Sequence, residues 1–82
     1  MKKTASKNKI ASFVVEFDRE EDGRWIAEVI SLPGVMAYGA TRKDAFRHVS
    51  AIALRTLADK VEFGKPVPSP VSRLFEYEMA GR

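Results

Sequence analysis

The chain has 82 residues, 45% of them hydrophobic and 30% charged, and it contains no cysteine. A chain of this length suits one domain burying only about 60% of its unfolded surface, so association with a partner or with further copies is expected. The composition excludes disulfides, a thiolate metal site and a thiol nucleophile, and no run approaches the ~20 apolar residues of a membrane span.

The formal net charge is +3, but the excess sits in Lys2, Lys3, Lys7 and Lys9. Setting those four aside leaves ten basic residues against eleven acidic ones: a basic arm in front of a near-neutral domain. Residues 1–9 lack aromatic and branched apolar side chains and are expected to be disordered, with a single domain over residues 10–80. Such an arm serves solubility or touches nucleic acid. No apolar stretch of signal-peptide type follows it, which favours a cytoplasmic protein.

Ile10 to Phe17 alternates as a strand. Asp18 to Asp22, DREED, is a charged loop with four acids, and Asp22-Gly23 is a turn pair because Gly23 takes positive φ without a Cβ clash. A second strand runs from Trp25 towards Ile30. With Asp18 placed opposite Arg24, residues Phe17, Val15 and Phe13 face Trp25, Ala27 and Val29 on one apolar side. The other side carries Val14, Glu16, Arg24, Ile26, Glu28 and Ile30, a mixed surface suited to water or a partner. Trp25 is assigned to the core because its pattern mates are all apolar.

Pro33 lacks an N–H and Gly34 turns easily, so Leu32-Pro33-Gly34 breaks the second strand. Val35 to Tyr38 returns as a third, and Gly39 marks where the backbone leaves the sheet. Thr41 is the expected N-cap of a helix from Arg42 to about Glu62, its hydroxyl accepting near Asp44. Ala45, Val49, Ile52, Ala53 and Leu57 recur at helical spacing, with Phe46 widening the stripe and Val61 extending it. Arg47, His48, Ala51, Arg55 and Asp59 fall outside it. Asp44 with His48, and Arg55 with Asp59, are one turn apart and suited to weak pairing. Gly64 suits the left-handed position after the helix. Pro66 to Pro70 reads as a stiff extended strap, and Arg73 to Met79 resumes strand alternation as a fourth strand at an edge or crossing to a second copy.

In this order, D-G-x-W-x-A-x-V-x-x-L-P-G-V, then Y-G-A-T-x-x-D-A, then a helix and a G-x-P-x-P exit, the chain resembles the HicB-like antitoxin family over roughly Phe13 to Pro70. The resemblance implies an α+β fold of order β-β-β-α-β, partly like ribonuclease H, with a small antiparallel sheet covered by one helix. It implies a cytoplasmic antitoxin that binds a small RNA-cleaving toxin of the HicA type and occludes it without catalysis. The mixed sheet face and the acidic loop are then the candidate contacts for a basic toxin: Glu16, Asp18, Glu20, Glu21, Arg24, Ile26 and Glu28. Residues Gly23, Trp25, Pro33, Gly34, Gly39, Thr41 and Gly64 are structural. A homodimer or homotetramer is expected. Many family members carry a DNA-binding segment after this domain, whereas twelve residues follow Pro70, so this chain reads as a short member for which DNA binding is doubtful.

An enzyme is not expected. The one histidine, His48, lies on the outer side of the helix, no phosphate-gripping Lys-Ser or Lys-Thr follows the Gly34–Gly39 interval, and Glu16 with Glu28 reads as a solvated or partner-facing pair rather than a metal site. No cofactor or metal is implied. The competing function is a stand-alone oligomeric ligand-binding or scaffold domain whose strands pair between copies.

Overall fold

The computed structural model describes residues 12–76 and 78. Strands β1 (Val15–Arg19), β2 (Trp25–Val29) and β3 (Met36–Gly39) form an antiparallel meander of order β1-β2-β3. Helix α1 (Arg42–Glu62) packs over β2 and β3, and a single turn, α2 (Ser69–Ser72), follows. The fold is α+β, with three antiparallel strands and a covering helix.

The β1-β2 register is offset by two residues from the expected one: Arg19 pairs with Trp25, Phe17 with Ala27 and Val15 with Val29. The loop is shorter than expected. Glu20 N–H donates to the Arg24 carbonyl (2.8 Å) and Gly23 N–H to the Glu20 carbonyl (2.9 Å), leaving Glu21, Asp22 and Gly23 as the loop. Gly23, at φ 92°, rejoins the strand directly, the usual way a three-residue hairpin loop closes. A two-residue offset preserves the side-chain alternation, so every side chain stays on its expected face.

Between β2 and β3 the chain reverses through Gly34 at φ 87°. Leu32 N–H donates to the Val29 carbonyl (3.1 Å) and Val35 N–H to the Leu32 carbonyl (3.0 Å). These bonds turn Leu32 and Val35 inward, where both are buried. The strand break therefore also supplies core.

The Thr41 side chain accepts from Asp44 N–H at 3.0 Å, capping α1 as expected. At the other end Lys65 N–H reaches the Lys60 carbonyl (2.8 Å) and Gly64 N–H the Val61 carbonyl (3.2 Å), with Gly64 at φ 68°. That pair of bonds is a Schellman closure, which requires the left-handed residue that glycine provides. Ala45, Val49, Ala53 and Leu57 are buried and Ile52 is partly so, whereas Phe46 and Val61 stand largely in solvent. They lie on the flank of the helix beyond β2, where the sheet no longer covers it.

The core consists of those four helix residues with Ala27, Val29, Leu32, Val35 and Val71. Small residues set the helix close to the sheet. A Cβ on Gly39 would lie 2.8 Å from Ala45 Cα and closer still to its nitrogen, so the end of β3 and the start of α1 meet backbone to backbone. Val71 corrects the reading of Pro66 to Pro70 as a continuous strap. The chain is extended only to Pro68, and Pro70 sits in the first turn of α2, a position where proline's missing N–H costs nothing. Arg73 and Leu74 form a turn, and Phe75, Glu76 and Glu78 carry no strand; Tyr77 and Met79, the other members of the expected fourth strand, lie outside the described residues, as does the basic arm.

Candidate functional site

The helix covers one face of the sheet, and the opposite face has no covering layer among the described residues. Its rows follow from the register. Glu16, Glu28 and Met36 lie side by side across the three strands, as do Asp18, Ile26 and Tyr38. Ile30 N–H donates to the Val14 carbonyl at 3.1 Å, which adds a row of two apolar side chains. Val14, Ile30, Met36 and Tyr38 are all exposed. The result is a strip with an apolar row at one end, carboxylates through its middle and Arg24 beside Tyr38 at the other end.

Of the expected partner-facing residues, Glu16, Asp18, Arg24, Ile26 and Glu28 share this face. Glu20 stands at the hairpin end opposite Arg24, and Glu21 is at the loop tip, beside the face rather than on it. Met36 and Tyr38 were missed. Counting back in twos from Gly39 puts Ala37 and Val35 on the inner side and leaves Met36 and Tyr38 on the outer one.

Glu16 and Glu28 are direct cross-strand partners on this uncovered face. Like charges opposite one another are unfavourable by roughly 0.2–1 kcal/mol, so the isolated sheet gains nothing from the pairing. A cation arriving from a partner removes that repulsion. Arg24 does not neutralise the pair: its guanidinium stacks 4.2 Å from the Tyr38 ring centre and its Nε donates to Asp22 Oδ2 at 2.8 Å. Asp22 is held below the ordinary aspartate value of 3.8 first by the Arg24 backbone N–H, at 3.1 Å, and then by the Arg24 side chain. Among the described residues no group of three or more His, Asp or Glu side chains converges as a metal site would require.

Trp25 is on the core side, as expected, but is half-buried rather than enclosed. The Arg19 and Arg42 guanidiniums lie 5.0 and 4.8 Å from its ring centre. Arg42 also sits 5.4 Å from the Phe17 ring, so this end of the core is closed by cations over aromatic faces. The pairing suggested for Asp44 and His48 is replaced by others. Asp44 meets Arg47 at 3.5 Å, and His48 Nδ1–H donates to the Tyr38 carbonyl at 2.8 Å, tying the helix to the outer edge of β3.

No family model, curated protein or solved structure matches this chain. No helix among the described residues is long and apolar enough to cross a membrane.

Proposed function

We propose that the chain is an antitoxin-like protein that seats a small, basic, RNA-cleaving toxin of the HicA type on the uncovered face of its sheet and occludes it. The observation that carries this reading is the Glu16–Glu28 pair, which no cation among the described residues neutralises, set among Val14, Ile26, Ile30, Met36 and Tyr38. Apolar side chains supply area, and the carboxylates complement a surface evolved to hold RNA. The resemblance from Phe13 to Pro70 supplies the class of partner. The reading places the protein in the cytoplasm, assigns it no catalytic step, and includes a partial ribonuclease H-like topology.

The test is co-expression with the product of the neighbouring small gene. The expected outcome is relief of toxicity and a complex that elutes together in size exclusion. Toxicity unrelieved, with the two proteins eluting apart, would reject the proposal. The second reading, a scaffold domain that self-associates without a toxin, is favoured by the exposed apolar flank of α1.

A further inference from the structure

The end of the uncovered sheet face nearest Ser12 holds a hollow of about 540 Å³, lined by Ser12, Val14, Glu16, Ile30 and Pro68 among others. Val14 and Ile30 are neighbours across the strand pair, yet they remain 61 and 46% exposed. Beside them stand the carboxylates of Glu16 and Glu28, with Asp18 one row further on. This end of the face is an apolar seat that opens onto negative charge.

The chain itself carries groups that match both features. No lysine or arginine among the described residues lies within ion-pair distance of Glu16 or Glu28. The cations that remain are Lys2, Lys3, Lys7 and Lys9, together with Arg82. The four lysines precede Ser12, which stands at the rim of the hollow, and Ile10 is the branched apolar residue just before that rim. The reach suffices. Glu16 lies about 13 Å along the chain from Ser12, with Glu28 one strand further across, and the segment back to Lys7 extends up to about 17 Å.

We propose that residues 2–10 dock on this face of their own chain: Ile10 seats against Val14 and Ile30, and the lysines before it run along Glu16 and Glu28. Each exposed ion pair is weak by itself. The tether compensates by holding the arm at an effective concentration in the millimolar range. Salt dissolves such a contact, because in roughly 1 M electrolyte the screening length is only about 3 Å. The arm also relieves the repulsion between Glu16 and Glu28 that the described residues leave standing. The contact needs only the chemistry of the face and is independent of the antitoxin reading; where that reading holds, a basic toxin displaces the arm to reach the carboxylates.

A nitroxide attached through Ser6→Cys in the full, otherwise cysteine-free chain tests this by paramagnetic broadening of the backbone amides. Strong broadening is expected at Glu28 and Met36, on the strands beyond β1, and little at Arg55 and Asp59 on the exposed side of α1. In the Glu16→Gln, Glu28→Gln double variant, with its amide spectrum otherwise that of the folded parent, broadening at Met36 is expected to fall roughly fivefold. Salt at roughly 1 M is expected to do the same to the parent chain. Ile10→Asn is expected to move the methyl signals of Val14 and Ile30. Broadening that follows only distance from Ser12 and persists in the double variant, or methyl signals indifferent to Ile10→Asn, would overturn the proposal. So would broadening of an isotope-labelled chain by a separate spin-labelled one, which would assign the arm to the face of a second copy. No toxin enters these measurements, so their outcome stands apart from the antitoxin reading.

Discussion

Gly39 is the residue on which the packing of helix against sheet turns. Its hydrogen occupies the only space between β3 and the Ala45 backbone, so neither partner offers a flexible side chain that can yield. Gly39→Ala is expected to lower stability by about 1–3 kcal/mol, the usual cost of overpacking a close contact, read as a lower denaturant midpoint with an unchanged slope. Trp25 behaves differently, because its ring is shared between the core and two guanidiniums. Trp25→Ala is expected to cost about 2 kcal/mol, below the ~3–5 of a fully enclosed aromatic, and calorimetry distinguishes the two. Asp22 supplies one pH-dependent contribution. Its folded carboxyl titrates below 3.8, so its contribution is present above that value and lost as pH falls through the folded midpoint. A carbon-detected titration is expected to place that midpoint below the value of the same residue in the unfolded chain, and an equal midpoint in both states would contradict the Arg24 contacts.

At the scale of the element, α1 has both ends closed by side chain and glycine geometry. Thr41→Ala removes the acceptor for Asp44 N–H and is expected to destabilise by about 1 kcal/mol, with fraying confined to the first turn in hydrogen exchange. The helix limits, Thr41 cap and Gly64 stop were legible in the sequence because each depends on a few neighbouring residues. Strand faces were legible for the same reason, since alternation survives an error of two in register. What escaped was set by loop closure or by distant parts of the chain. Where β1 meets β2 depended on how Gly23 closed the loop. The exposure of Phe46 and Val61 depended on which strands α1 lies above, and the small side chains of Ala27, Ala37, Gly39 and Ala45 draw it over β2 and β3. Val71 joined the core through a helical turn that alternating prolines had disguised as extended chain.

At the scale of the molecule, one helix closes one side of a three-stranded sheet and leaves, among the described residues, two exposed surfaces of different chemistry: an acidic sheet face and an apolar helix flank. The difference in chemistry makes the two separable. Glu16 and Glu28 contribute nothing to the core, so replacing both with lysine is expected to leave the melting temperature within a few degrees of the parent. Of the acidic residues expected to meet a partner, Glu16 and Glu28 were grouped on one face from alternation alone, because the outer face needs only the strand period, whereas Asp18, expected in the loop, falls in β1 on that same face. The apolar frame added by Met36 and Tyr38 follows from the same alternation, counted from Gly39 as an inward-facing position.

The most direct measurement is growth of cells expressing the neighbouring small gene together with either the parent chain or the Glu16→Lys, Glu28→Lys double variant, both verified as folded. If the acidic sheet face seats the toxin, the parent restores growth and the double variant does not. Equal rescue by the two proteins would contradict the assignment of that face, and rescue by neither would contradict the antitoxin reading itself.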